Sequence, residues 1–86
     1  MVTLMVFHEV DDVAHWLASP KRKELFGPLG IKVRAFSDPQ GSNRVGVLVE
    51  TPDIDTWHAA LQTDKALAAM KHDGVRPDTI LELTEG

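Results

Sequence analysis

Period-two patterning opens the chain. Val2, Leu4, Val6, His8 and Val10 share one face, and Thr3, Met5, Phe7 and Glu9 share the other. The stretch is rich in β-branched and aromatic residues and stops at Asp11-Asp12, so it predicts a strand. The period then changes. Val13, Trp16 and Leu17 stand at i, i+3 and i+4 on one helical stripe, which Asp11 or Asp12 can cap by accepting backbone N–H groups. Ser19-Pro20 predicts a break and a new start, with Ser19 as cap and Pro20 at the first helical position. Leu25, Phe26 and Leu29 continue the apolar side, which Gly27-Pro28 and Gly30 end. Ile31 to Phe36 alternates and predicts a second strand, and Ser37 to Asn43 has the Asp-Pro and Gly-Ser-Asn chemistry of a hairpin loop. Val45 to Val49 is a third strand, apolar enough to suggest burial on both faces.

Thr51-Pro52-Asp53 opens a second helical segment. Its stripe of Ile54, Trp57, His58 and Leu61 is extended by Ala66, Leu67 and Met70, which predicts one long helix stopped by Gly74. Lys71 and His72 stand in its last turn, where a cation suits the dipole. Thr79 to Leu83 predicts a fourth strand. The order is βαββαβ, and a short internal repeat runs through it. Asp12 and Trp16 recur as Asp53 and Trp57 at the same spacing. Leu17, Ser19, Gly30 and Ile31 recur as Leu61, Thr63, Gly74 and Val75 at one constant offset. Two similar βαβ halves are what the α+β, ferredoxin-like plait requires, with residues 1–86 as a single domain. Two helical crossovers cover only one face of a four-stranded sheet. Met5, Phe7 and the Val45–Val49 run put apolar groups on both, so a two-fold homodimer through the open face is expected.

Composition narrows the function. The chain has 86 residues, no cysteine, and a formal net charge of −4. An acidic chain is a poor partner for nucleic acid or an anionic membrane, and no cysteine is present to act as nucleophile or metal ligand. The apolar start, Val2 to Phe7, is too short for a membrane span or signal segment, so a cytoplasmic location is expected. There is no GxGxxG, P-loop or GxSxG motif, and no tyrosine, so no cofactor is implied and serine-nucleophile hydrolysis has no support.

His8-x-Val10-x-Asp12-x-x-x-Trp16 resembles the opening of a family of small bacterial dimeric α/β-barrel proteins. The likeness continues at Arg34-Ala35-Phe36-x-Asp38, at Asn43-Arg44-Val45 and the apolar strand to Glu50, and at Leu61-x-Thr63-x-Lys65-x-Leu67-x-x-Met70. It ends at Gly74-Val75-x-Pro77 and the last strand. Its relatives include antibiotic-biosynthesis monooxygenases, muconolactone-isomerase-like enzymes and polyketide cyclases. The resemblance implies two sheets packed into a barrel, with a pocket in each protomer, between sheet and helices, for a small apolar or aromatic molecule. It also implies cofactor-independent chemistry of monooxygenase, isomerase or cyclase type.

The residues offer candidates for that chemistry. His8 stands mid-strand on an otherwise aliphatic face, where it either finds a hydrogen-bond partner or lines a cavity as general acid or base. Trp16 and Trp57 are core residues that could also wall an aromatic ligand. His58, beside Trp57, could reach the same cavity or lie at its rim. Arg34 shares its strand face with Phe36 and could bind an anionic group or pair across a dimer. His15 is expected in solvent, His72 at a helix end, and Lys21-Arg22-Lys23 on a solvated helix face. No metal site is expected. His8-Glu9 departs from HExxH at Asp12, and a site from His8, His58 and a carboxylate would need tertiary coincidence. The alternative to an enzyme is a non-catalytic binding or dimerisation module with His8 structural.

Overall fold

The computed structural model describes residues 1–86. Four strands, β1 (Val2–Val10), β2 (Lys32–Ser37), β3 (Arg44–Thr51) and β4 (Val75–Thr84), form one antiparallel sheet in the order β2-β3-β1-β4. Two helical crossovers join them, and the result is the ferredoxin-like α+β plait. The first holds α1 (Val13–Ala18), α2 (Lys21–Phe26) and a 3-10 turn at Gly27–Leu29; the second holds α3 (Ile54–Leu61) and α4 (Asp64–His72). No helix is long and apolar enough to cross a membrane.

The second crossover is two helices where the apolar stripe predicted one. Thr63 ends α3 by donating its hydroxyl to the Ala60 carbonyl at 2.9 Å. The same hydroxyl accepts from the Ala66 N–H at 3.1 Å and caps α4. Side-chain capping here competes with the continuing helical ladder and wins. Ser19 marks the equivalent break in the first crossover, where it closes α1 and accepts from the Lys21 N–H at 3.2 Å. Pro20 therefore stands one position earlier than predicted, as the N-cap of α2. Gly30 and Gly74, the paired glycines of the repeat, end the two crossovers in the same left-handed conformation, at φ 73° and 72°. The repeat in the sequence is thus a repeat in the structure, break for break.

Register assigns each strand residue to a face. Leu4, Val6, His8 and Val10 of β1 lie with Val45, Val47 and Val49 of β3 under the helices, where Trp16, Phe26 and Trp57 complete the core. The third strand is therefore apolar on both faces, with the three valines buried and Leu48 on the open side. On that open side one row runs Phe36, Gly46, Phe7 and Leu81, and the next runs Arg34, Leu48, Met5 and Leu83. A Cβ at Gly46 would come within 3.3 Å of the Phe7 ring, so glycine lets that ring lie on the sheet.

β4 begins earlier than the sequence pattern predicts, because Pro77-Asp78 interrupts it without ending it. Arg76 pairs with Glu9 and Leu81 with Phe7, so residues 77–80 bulge opposite the single residue His8. Thr79 repairs the ladder there. Its hydroxyl accepts from the Glu9 N–H at 2.8 Å and donates to the Arg76 carbonyl at 2.6 Å.

Candidate functional site

A cavity of about 190 Å³ lies between the helix-facing side of the sheet and the helices, and His8, Trp16 and Trp57 all line it. His8 reaches it because strand alternation turns its side chain under the helices, and because the bulge of β4 leaves no regular strand partner beside it. Only 9% of the residue is exposed, yet its Nδ1 is buried without a hydrogen-bond partner. No side chain engages either ring nitrogen, so the neutral imidazole keeps a lone pair free for a ligand. Burial lowers the His8 pKa from its ordinary value of 6.5; a backbone group of Glu9 opposes the shift, and the positive charge of Arg22 adds to it. The ring is therefore neutral at neutral pH.

Trp16, 1% exposed, stands edge-on to His8 with ring centroids 5.5 Å apart and planes at 80°. The Arg22 guanidinium lies 4.2 Å from the centroid of the Trp16 ring, and its Nη1 donates to the Trp16 carbonyl at 2.9 Å. The expectation of a wholly solvated basic run is corrected here. Lys23 is exposed, but Lys21 and Arg22 are half-buried and line the cavity. Helix α2 starts immediately after a Ser-Pro break, and that turn carries Arg22 back over α1.

Trp57, 3% exposed, packs on Phe26 with centroids 5.1 Å apart. Its indole Nε1 donates to Glu82 Oε1 at 2.7 Å, and His58 Nε2 donates to the other carboxylate oxygen at 2.8 Å. Burial pushes the Glu82 carboxyl up, but the bonds from His58 and Trp57 outweigh it and hold it below the usual carboxylate range. His58 itself is exposed and does not line the cavity; it acts there only through Glu82. Arg34 is not part of the site. Alternation places it on the open face of the sheet, with its guanidinium 5.5 Å from the Phe36 ring centroid.

Sequence reasoning missed four charged cavity residues: Lys21, Arg22, Glu82 and Asp73. Glu82 alternates with Leu81 and Leu83 and pairs with Val6, so its inward direction follows once the register of β4 is known. Asp73 caps the end of α4 and is 3% exposed, and its charge opposes the lowering of the Arg22 pKa by burial. The cavity thus joins a neutral imidazole, three aromatic side chains, two cations and two carboxylates.

Three solved structures share this fold. A protein described as an antibiotic biosynthesis monooxygenase is 14% identical at a TM-score of 0.66, covering 100% of this chain and 97% of its own. An ethyl tert-butyl ether d family protein from Bacillus halodurans is 14% identical at 0.56, with 100% and 98% covered. A conserved Bacteroides thetaiotaomicron protein of unknown function, described as a possible oxidoreductase, is 15% identical at 0.56, with 98% and 92% covered. No protein-family model and no curated protein matches the chain at the level of sequence.

The state of His8 has a consequence for stability. Above pH 6.5 it is neutral in both folded and unfolded chains and contributes no pH dependence. Between its lowered folded pKa and 6.5 only the unfolded chain takes the proton, so stability falls as pH drops through that window and levels off beneath it. The urea midpoint should be lower at about pH 5.5 than at about pH 7.5, and His8→Gln should remove most of the difference. The lowered carboxyls of Asp38, Asp53 and Glu82 titrate below this range. An undiminished drop in the variant would assign the effect to another group.

Proposed function

We propose that the protein binds a small, largely apolar, aromatic molecule in the His8 cavity and moves a proton on it, with His8 as the base. The observation that carries this reading is the buried imidazole with no hydrogen-bond partner, set against Trp16 inside a cavity. A buried polar group left unpaired costs about 1–3 kcal/mol, and a ligand proton supplies the missing partner. Arg22 stands where a cation can stabilise the anion that deprotonation leaves. Isomerisation, ring closure and reaction with dioxygen, the three outcomes named for the resembling family, can all follow from such an anion. The monooxygenase description of one structural neighbour supports the last of them.

The size of the cavity bounds the ligand. Drug-sized ligand sites span about 300–1,000 Å³, whereas a cavity of about 150 Å³ accepts benzene. At about 190 Å³ this one fits a single substituted ring. The same smallness favours the second reading, a binding or dimerisation module in which His8 only completes the core.

We propose further that the active form is a homodimer through the open sheet face, giving the two-fold α/β barrel. Phe7, Phe36, Met5, Leu81 and Leu83 are 40–54% exposed there. The band they form is bordered on one side by the row of Glu9, Arg44 and Arg76, and on the other by Glu50 and Lys32. An apolar centre with a charged rim of both signs is the anatomy of a protein interface, and apolar patches this continuous are uncommon on monomers.

Two measurements check these proposals. Titration with p-cresol, a single ring bearing a weakly acidic O–H, should shift the indole N–H resonances of Trp16 and Trp57 saturably in NMR spectra. His8→Gln should keep those resonances dispersed but lower turnover of a true substrate by about 10²–10⁴-fold. Unmoved indole signals at saturating cresol would contradict the ligand assignment, and full turnover in the variant would contradict His8 as the base. Sedimentation equilibrium at micromolar concentration should give a dimer, since an interface of standard size buries about 1,200–2,000 Å² in total. Phe7→Glu should give monomer, and a wild-type monomer would contradict the assembly.

A further inference from the structure

We propose that His15, His72 and Asp73 form a binding site for a divalent transition metal of the zinc class. One ring nitrogen from each histidine and one carboxylate oxygen of Asp73 lie within 4.8 Å of one another, and this is the molecule's only such cluster of three donors. The residues come from distant parts of the chain, His15 on α1 and the other two at the end of α4. His15 Nε2 donates to the His72 carbonyl at 2.9 Å, and His72 Nδ1 donates to Asp73 Oδ1 at 2.9 Å. The two rings stand 5.1 Å apart, tilted by 40°. His72 Nδ1 and Asp73 Oδ1 thus already stand about as close as adjacent zinc ligands, and a metal would take the place of the proton between them while His15 turns from the His72 carbonyl to join it.

The donor set suits the zinc class. Two imidazoles and one carboxylate are borderline to hard ligands, with no thiolate to select a softer ion and too few oxygens for calcium. Zinc–ligand bonds of about 2.0–2.2 Å place tetrahedral donors about 3.3 Å apart. The observed spread closes to that by side-chain rotation of two exposed imidazoles. The surroundings also favour a cation. Asp73 is a buried carboxylate whose one direct side-chain partner is His72. The carbonyls ending the nine-residue α4 face the same region, at the negative end of its dipole.

A metal here would clamp the first crossover to the end of the second. It would also fix Asp73, which lines the His8 cavity and is the charge that Arg22 senses. The site stands on its own donors and does not depend on what the cavity binds.

Isothermal titration with ZnCl₂, and Co²⁺ absorption in the visible, test it on the whole chain. One equivalent should bind per chain, with the tetrahedral Co²⁺ spectrum and a rise in Tm. His15→Ala and His72→Ala should each weaken binding at least tenfold, while His58→Ala, which removes an exposed histidine outside the cluster, should not. Both substituted side chains are exposed, and circular dichroism without metal establishes that the variants are folded. Absence of saturable binding at millimolar Zn²⁺, or binding unchanged in the His15→Ala/His72→Ala double variant, would overturn the site.

Discussion

A sheet covered by helices on one side forces a choice at every strand residue, because successive side chains point to opposite faces. In β1 the choice alternates without error from Val2 to Val10. The even positions build the core and carry His8 to the cavity, while Met5 and Phe7 are left on the open side. The candidate site and the candidate interface are therefore two faces of one strand. A one-residue slip in register would exchange them, placing His8 in the open and Phe7 under the helices. The aliphatic rows of β1 and β3 and the bulk of Trp16 and Trp57 hold that register. The bulge of β4 accommodates what the register leaves irregular around His8.

Much of this was legible in the sequence. Alternation placed His8 under the helices and Arg34 on the side of Phe36. The internal repeat announced a plait before any strand pairing was known. The repeat also held information that the apolar stripe concealed. Ser19 breaks the first crossover and corresponds to Thr63, so a break belonged at Thr63 as well, although Ile54 to Met70 reads as one amphipathic run. Hydroxyl capping is a local event, decided by one or two hydrogen bonds, and hydrophobic periodicity does not register it.

The unread part of the site is its charge. Arg22 belongs to a basic run that composition assigns to solvent, yet its aliphatic stem follows α1 and its guanidinium settles on Trp16. Asp73 and Glu82 enter through the end of α4 and the register of β4, which depend on pairings far apart in the chain. The same holds for the nearness of His15 to His72 and Asp73, since those residues meet only when the two crossovers lie side by side.

Burial gives His8 its character, and one of these charges adds to it. An imidazole among valines is kept neutral because burial disfavours its cation, and Arg22 reinforces that state. Glu82, the carboxylate on the cavity wall, is engaged by Trp57 and His58 and not by His8. The imidazole is thus free of that carboxylate, with the Arg22 cation nearby, as the proposed proton transfer requires. The most direct test is a pH titration of the four histidines by NMR of their imidazole nitrogens. His8 should titrate below 6.5, remaining neutral across the neutral range. A His8 that titrates at or above 6.5 would contradict a buried, unpaired imidazole and the proton-transfer role proposed for it.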